Sequence, residues 1–232
     1  MAGLALAPPS AFRLVMFDCD GTLVDSQATI VACAQAAFRA EGLPAPADAA
    51  IRRIVGLSLV EAVLALMDEP DRAMAGRLAD HYKSALLAHR VRPDFREPLF
   101  PGAREVLDDL RRLGFLLGVA TGKAMRGLRL VLEQHGLEGH FVSLQTADLH
   151  PSKPHPAMLN AAMSETGVRA ACTVLVGDTT YDVLMARAAG AVPIGVSWGN
   201  HAPAELTEAG AVRVLGRFEE LSAVLASPTT GG

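Results

Sequence analysis

The stretch Phe17-Asp18-Cys19-Asp20-Gly21-Thr22-Leu23-Val24-Asp25-Ser26 decides how this chain folds, because two carboxylates directly follow a short apolar run. The run, residues 13–17, is mostly apolar and partly β-branched, which is typical of a buried strand in a parallel sheet. Side chains alternate along a strand, so Asp18 and Asp20 should point the same way if the extended backbone continues past the run. Gly21 then allows the backbone to turn closely around whatever the carboxylates hold.

Two carboxylates at this spacing favour chemistry over simple turn formation. They repel each other unless a cation lies nearby or one of them keeps its proton, and both arrangements occur in catalytic sites. A single aspartate would fit a turn or a helix cap equally well. The combination Asp-x-Asp-Gly-Thr is much rarer by chance, and it predicts a catalytic site at the end of the first strand.

The composition predicts a folded protein with a large core. The chain has 232 residues, of which 50% are hydrophobic, enough for one large domain or for a core with a smaller insert. Its formal charge is −4 and it contains no basic block, which argues against nucleic acid or an anionic membrane surface as the main partner. An anionic substrate would have to be bound by local positive groups.

The cysteines and the apolar segments predict a cytoplasmic protein. The three cysteines, Cys19, Cys33 and Cys172, lack paired spacing, so a disulfide framework or a cysteine-built zinc site is not expected. Residues 1–10 have no basic region of the kind that begins a signal peptide, and no apolar stretch reaches the ~20 residues of a membrane span. We also expect residues 227–232 to be frayed.

The order of predicted elements indicates an α/β fold with a helical insert. Helical spacing covers residues 28–40, 47–55, 58–67 and 72–89, and no strand pattern precedes residue 92. Helices then alternate with short apolar strands, predicted at residues 115–120, 141–144, 173–176, 193–196 and 213–215. We therefore predict a Rossmann-like parallel sheet core flanked by helices, formed by residues 1–25 and 96–232, with an all-helical cap domain at residues 26–95.

Two further signals follow predicted strands, where parallel sheets place their ligands. Thr121-Gly122 offers a hydroxyl and backbone N–H groups to a phosphate, although the same pair also caps ordinary helices. Lys153 is one of only three lysines among 21 basic residues, so a lysine at this position suggests a site that needs a compact ammonium group. Lys123 receives no role by the same reasoning, since a solvent-facing helix start explains it as well.

A third signal is the pair Asp178 and Asp182, which follows another apolar strand. If a helix starts near Thr179, Asp178 lies at its N-terminus and Asp182 lies one turn further on. Helix capping would explain Asp182 taken alone. One or two such carboxylates also suit Mg²⁺, which prefers oxygen ligands and keeps several waters.

Together these residues make the chain resemble the haloacid dehalogenase-like (HAD) hydrolases. The phosphatases of that family open with Asp-x-Asp-Gly-Thr-Leu-x-Asp-Ser, followed by a Thr or Ser, a Lys often preceding Pro, and Gly-Asp-x-x-x-Asp, and this chain contains all four motifs in order. The resemblance covers nearly the whole chain and is greatest to the phosphoglycolate phosphatase-like branch, which has a small helical cap. The dehalogenase branch lacks the second aspartate, so Asp20 favours phosphate chemistry.

The resemblance implies a Mg²⁺-dependent phosphatase that works through an aspartyl phosphate. In that mechanism Asp18 is the nucleophile and Asp20 the general acid and base, while Thr121, Gly122 and Lys153 bind the phosphoryl group. Asp18, Asp178 and the backbone carbonyl of Asp20 would hold Mg²⁺, with Asp182 acting through water or by orienting its neighbours. The implied substrate is a small phosphorylated metabolite, most simply one like phosphoglycolate.

The same core residues are also compatible with other functions. A hexose-phosphate mutase such as β-phosphoglucomutase, or a pyrophosphatase, would share the core residues and differ in the cap. A phospho-acceptor signalling receiver is opposed by the helical insert and by Asp20. In the cap, Arg52 and Arg53 are candidates for binding a second anionic group, although a solvated helix face explains either arginine. Trp198 could line the pocket or simply pack.

Overall fold

The computed structural model describes residues 12–93 and 95–226. The predictions for residues 1–10 and 227–232 concern segments outside this range. In the described part of the chain, no helix combines the length and the apolar character needed to cross a membrane.

A six-stranded parallel sheet forms the centre of the molecule and confirms the predicted fold class. The strand order is β3-β2-β1-β4-β5-β6, so the first strand lies in the middle. The strands are β1 (Leu14–Phe17), β2 (Leu116–Thr121), β3 (Ser143–Thr146), β4 (Thr173–Gly177), β5 (Val192–Val196) and β6 (Arg213–Leu215). All pairs in the sheet are parallel, as expected for strands joined by helical crossovers.

Strand β1 contributes side chains to both faces of the sheet. Val15 and Phe17 belong to one hydrophobic cluster, whereas Leu14 and Met16 belong to the other. All four residues are fully buried, which explains why the run is continuously apolar instead of alternating. Cys19 joins the cluster of Val15 and Phe17, so it is a core residue.

The helices of the core cover both faces of the sheet. Those that follow the insert are α5 (Ala103–Arg112), α6 (Met125–Gln134), α7 (Ala157–Thr166), a 3₁₀ helix (Ala170–Cys172), α8 (Thr180–Ala188), α9 (Pro203–Ala209) and α10 (Glu219–Ala226). Helices α5, α6 and α10 contribute to the cluster of Val15 and Phe17, whereas α7 and α8 contribute to the cluster of Leu14 and Met16.

Four helices separate β1 from α5. They are α1 (Gln27–Ala40), α2 (Asp48–Arg53), α3 (Leu59–Ala65) and α4 (Arg72–Arg90). Three of them, α1, α3 and α4, share a small hydrophobic cluster of their own, which includes Phe38 from α1, Val63 from α3 and Leu78 from α4. The helical insert is therefore present, and the domain boundaries at residues 26 and 95 stay a prediction.

The register of the three central strands positions the site. Phe17 is paired with Val119 on one side and with Val176 on the other. The carboxyl ends of β1, β2 and β4 therefore meet at one edge of the sheet, where Asp18, Thr121 and Asp178 follow or end their strands.

Candidate active site

Asp18 is buried at the centre of the sheet edge and has one close counter-charge. It is 1% exposed, and its Oδ1 lies 2.7 Å from Nζ of Lys153. Its other oxygen, Oδ2, has no hydrogen-bond partner among the described residues. Burial raises the pKa of Asp18 well above its usual range, and the attraction of Lys153 only partly opposes this. The free oxygen and the burial together leave room for a further positive charge.

Lys153 links two buried carboxylates. Its Nζ lies 2.7 Å from Asp18 and donates a 2.6 Å hydrogen bond to Oδ1 of Asp182. Burial alone would lower the pKa of Lys153, but the two ion pairs outweigh it, so the pKa is raised and the ammonium group stays charged. Lys153 is therefore held rigidly against the predicted nucleophile.

Asp182 acts on its neighbours through both of its oxygens. Its Oδ2 accepts hydrogen bonds from the Thr179 backbone N–H (3.1 Å) and hydroxyl (2.6 Å), completing a capping box at the start of α8. Its Oδ1 is occupied by Lys153. The fold needs a glycine at position 177, because a Cβ there would lie 2.4 Å from Cβ of Asp182. Asp182 therefore contacts Lys153 and Thr179 directly, and its predicted role, through water on the metal or by orienting its neighbours, stays a prediction.

Asp178 is fully buried at the end of β4 and is held by donors from two loops. Its Oδ1 accepts from the Thr22 hydroxyl (2.9 Å), and its Oδ2 accepts from both the backbone and the side-chain nitrogen of Asn200 (2.8 Å each). Burial, with a contribution from nearby Asp182, raises the pKa of Asp178 to about 6. Gly21, at φ +90°, permits this approach, since a Cβ there would lie 2.3 Å from Oδ2 of Asp178.

The carboxylates at this edge fit a divalent cation. One oxygen from each of Asp18, Asp178 and Asp182 lies within 4.8 Å of the others. Of the three, Asp18 keeps an oxygen without a hydrogen-bond partner, Oδ2, whereas both oxygens of Asp178 and of Asp182 accept hydrogen bonds. The assignment of Asp18 and Asp178 as the ligands stays a prediction. Three buried carboxylates share a single lysine, and burial together with their neighbouring acids raises the pKa values of Asp18 and Asp178, so a bound cation would stabilise their ionised forms. The carbonyl of Asp20 as a ligand stays a prediction.

Asp20 has its own pair of partners, separate from those of Asp18. The Ser26 hydroxyl donates to Oδ1 of Asp20 at 2.6 Å, and Nζ of Lys123 lies 3.0 Å from the same oxygen. Only 12% of the Lys123 side chain is exposed. Burial would lower the pKa of Lys123, but the neighbouring Asp20 and other acidic groups raise it on balance. Lys123 therefore orients Asp20, a role that its position at a helix start could not reveal.

Glu97 is a further buried acid that the sequence analysis did not single out. It is 2% exposed, and burial raises its pKa, with Lys123 as the main opposing charge and Asp20 adding to the rise. Glu97 therefore belongs electrostatically to the group around Asp20. A lone glutamate between prolines offered no signal from which this placement could be predicted.

Thr121 and Gly122 lie where the sequence predicted a phosphate site. Thr121 ends β2, is buried, and accepts a hydrogen bond from the Lys123 backbone N–H at 3.2 Å. Gly122 touches the helical insert, because a Cβ at this position would lie 2.4 Å from the carbonyl oxygen of Leu57. The Ser58 N–H donates to the Ser152 hydroxyl at 2.8 Å, so the turn between α2 and α3 sits directly on the sheet edge.

A cavity of about 580 Å³ joins the sheet edge to the insert. Asp18, Asp20, Thr121 and Gly122 line one end, and residues of α1, α3 and α4 line the rest. The structure thus brings Asp18, Asp20, Thr121 and Gly122 to one cavity, together with Lys123, whereas Lys153 does not line the cavity and reaches it only through its contact with Asp18.

The structure does not bring the two predicted cap arginines to this cavity. Helix α2 directs Ile51 inward, so Arg52 and Arg53 lie on its exposed face. Arg53 pairs with Glu205 at 2.5 Å. Trp198 packs, with its ring centroid 4.6 Å from that of Phe218 and its Nε1 donating to the Thr22 carbonyl at 3.1 Å.

Comparison with known proteins places the chain in a family. A family model described as haloacid dehalogenase-like hydrolase matches residues 15–196. The chain belongs to this family. The matched range runs from β1 to β5 and contains Asp18, Asp20, Thr121, Lys153 and Asp178.

Curated relatives and a solved structure agree with this assignment. A probable phosphatase IndB from Dickeya dadantii is 40% identical over 213 residues, covering 90% of this chain and 91% of that protein. A phosphoglycolate phosphatase from Vibrio parahaemolyticus is 32% identical, covering 82% and 86%. The crystal structure of a predicted phosphatase from Clostridium acetobutylicum matches with a TM-score of 0.83 at 25% identity, covering 93% and 99%. The family and the enzyme class predicted from the sequence, a phosphatase, are confirmed.

Proposed function

We propose that this enzyme is a Mg²⁺-dependent phosphatase that hydrolyses a phosphomonoester through an aspartyl phosphate on Asp18. The observation that carries the proposal is the buried group of Asp18, Lys153 and Asp178 at the carboxyl end of the sheet, from which Asp18, like Asp20, reaches the cavity. Buried charges of this kind are costly to maintain and are typical of catalytic sites.

In the first step, a carboxylate oxygen of Asp18 attacks phosphorus in line as the bond to the ester oxygen breaks. Asp20 donates its proton to that oxygen, so the alcohol leaves neutral. In the second step, Asp20 takes a proton from the water that attacks phosphorus, which releases inorganic phosphate and restores Asp18. Lys123 and Ser26 hold the Asp20 carboxyl for both transfers.

Thr121 and Lys153 bind the phosphoryl oxygens in this proposal. Lys153 neutralises charge on the transferring group from a position that is almost free of water, where electrostatic stabilisation is strongest. Asp18 and Asp178 would hold Mg²⁺, with Asp182 fixing Lys153 beside them. When bound, the cation favours the ionised form of Asp18 and neutralises the phosphoryl oxygens.

Phosphoglycolate is the first substrate to test, because several curated relatives are named phosphoglycolate phosphatase. Within the proposal the helical insert acts as a cap over the sheet edge, supported by the contact between Gly122 and Leu57. The three cysteines are unpaired, which agrees with a reducing compartment, and the cytoplasm stays the predicted location.

The decisive experiment compares Asp18→Asn with Asp25→Asn. Asp25 lies in the same segment but is exposed, so its variant controls for the loss of a carboxylate. With Mg²⁺ and 4-nitrophenyl phosphate, we expect Asp18→Asn to lose phosphate release and acid-stable labelling from a ³²P-labelled ester. The Asp25→Asn variant should retain both. Undiminished turnover by Asp18→Asn would refute the nucleophile assignment.

A further inference from the structure

Beyond the end at which the phosphoryl group would bind, the cavity is lined mainly by apolar side chains, which bears on the identity of the substrate. We infer that the preferred substrate is a phosphomonoester of a bulky, largely apolar alcohol, larger and less polar than glycolate. The inference rests on the proposed function, since it concerns the leaving alcohol of that reaction.

The polar groups that would contact the phosphoryl group lie at one end of the cavity. Asp18, Asp20, Thr121 and Lys123 all lie at the sheet edge, where the predicted reaction takes place. Once the phosphoryl group occupies this end, these residues are engaged with it or with each other. The alcohol must therefore extend toward the helical insert.

The walls on the insert side are mostly aliphatic or aromatic, with Tyr82, Lys83 and Arg90 of α4 as the polar members. They are supplied by three helices and include Ile30, Ala34, Phe38, Leu59, Val63 and Leu86. Phe38 and Val63 belong to the insert's own hydrophobic cluster, so the cavity reaches the interior of the four-helix unit. A hydroxyl or carboxylate placed against such walls would lose hydration without gaining a hydrogen bond, whereas an apolar group would be stabilised.

The size of the cavity supports the same conclusion. At about 580 Å³ it lies in the range of roughly 300–1,000 Å³ that is typical of sites for drug-sized molecules. A two-carbon acid would touch few of the apolar walls, so most of the surface available for binding would be unused.

Cations also border the cavity, and they define the competing possibility. Lys83 and Arg126 are exposed, and Lys83 already pairs with Asp80 at 2.9 Å. Arg90 has one buried nitrogen, Nη2, without a hydrogen-bond partner among the described residues. If Arg90 dominated recognition, a small ester with a second anionic group would be preferred over an apolar one.

A series of esters distinguishes an apolar substrate from a small substrate with a second anionic group. With wild-type enzyme and Mg²⁺, we expect kcat/KM to rise about two- to fourfold per methylene from ethyl to butyl to hexyl phosphate, because each methylene is buried. Hexyl phosphate should also exceed phosphoglycolate. Efficient turnover of phosphoglycolate, with a flat or falling alkyl series, would overturn the inference and leave the proposed function intact.

Binding measured without turnover covers the case in which no ester of the series is hydrolysed. That result would count against the proposed function, and titration calorimetry with ethyl- and hexylphosphonate would then decide the inference separately. We expect hexylphosphonate to bind more tightly, with a more negative heat-capacity change as apolar surface is buried. Equal affinities for the two phosphonates would contradict an apolar site.

Two variants of helix α1 test whether the preference for longer alkyl esters arises in this cavity. Ala34→Leu fills part of the cavity, whereas Ala40→Leu makes the same change on the exposed side of the same helix. We expect Ala34→Leu to reduce the hexyl-to-ethyl ratio of kcat/KM about tenfold and Ala40→Leu to leave that ratio unchanged. If Ala34→Leu fails to fold, Leu86→Ala at the half-buried wall should lower the ratio too. An unchanged ratio in the folded cavity variant refutes this location.

Discussion

The two aspartates predicted to be catalytic, Asp18 and Asp20, differ because each is paired with a different lysine. Asp18 pairs with Lys153, which also binds Asp182, whereas Asp20 pairs with Lys123 and accepts a hydrogen bond from Ser26. Two neighbouring carboxylates with separate partners can take separate roles, one as a nucleophile and one as a proton carrier. The division of roles in the proposed mechanism therefore depends on lysines from two different loops.

Replacing Lys123 tests its positioning role. We expect Lys123→Met to lower kcat about 10- to 100-fold, the loss typical when a partner that orients a reacting side chain is removed. The KM for a small ester should change little, because Lys153 and Thr121 still bind the phosphoryl group. Arg129→Met is the control, since Arg129 is an exposed cation of α6 that does not line the cavity. Equal kcat in wild type and Lys123→Met would contradict the assignment.

At the scale of elements, the turn between α2 and α3 closes over the end of β2. The carbonyl oxygen of Leu57 lies so close to Gly122 that no side chain could be placed between them. The backbone N–H of Ser58 donates a hydrogen bond to the hydroxyl of Ser152. Gly56, at φ +98°, provides the left-handed backbone that this turn requires. Through these two contacts the insert is attached to the carboxyl end of the sheet, where the proposed mechanism places the phosphoryl group.

The substitution Gly122→Ala tests this attachment. Its Cβ would lie 2.4 Å from the Leu57 carbonyl, so either the turn or the end of β2 must move. Because small displacements at a reacting centre are costly, we expect kcat/KM to fall on the order of 100-fold while the circular dichroism spectrum is retained. Gly139→Ala is the control, as a Cβ there meets nothing within 4 Å. Full activity of Gly122→Ala would contradict a fixed contact.

For the whole molecule, the buried acids couple stability to pH and to the cation. Burial raises the pKa of Asp178 to about 6 and also raises that of Asp18. A carboxyl whose pKa is higher in the folded chain than in the unfolded chain stabilises the fold at low pH. That contribution is lost as the pH rises through the folded value. For Asp178 the loss amounts to at most about 3 kcal/mol between pH about 4 and pH about 7.

Thermal unfolding in the presence of chelator checks this expectation. Without a divalent cation, the Tm of Asp178→Asn minus that of wild type should increase as the pH rises from 4.5 to 7.5. Added Mg²⁺ should raise the Tm of wild type more at pH 7.5 than at pH 5, because binding stabilises the folded state and needs ionised carboxylates. A Mg²⁺ effect that is the same at both pH values, or absent, would argue against a site at Asp18 and Asp178.

The amino-acid sequence was sufficient to predict the sheet and to predict that Asp18, Thr121 and Asp178 lie together at its carboxyl end. Short apolar runs followed by Asp18, Thr121 and Asp178 identified three strand ends, since buried parallel strands need such runs and bind ligands beyond them. The helical spacing of residues 26–95 identified the insert in the same way. These signals are local, because each depends on neighbours a few residues apart.

Long-range contacts were needed for the rest. Lys123 reaches Asp20 from the loop after β2, and Asn200 holds Asp178 from 22 residues further along the chain. Arg52 and Arg53 lie on the exposed face of α2. The apolar cavity likewise forms from three helices whose individual patterns indicate only a core. Local spacing determines which residues share a face of one element. The packing of several elements determines which faces meet, and this packing sets the partners of each carboxylate and the shape of the cavity.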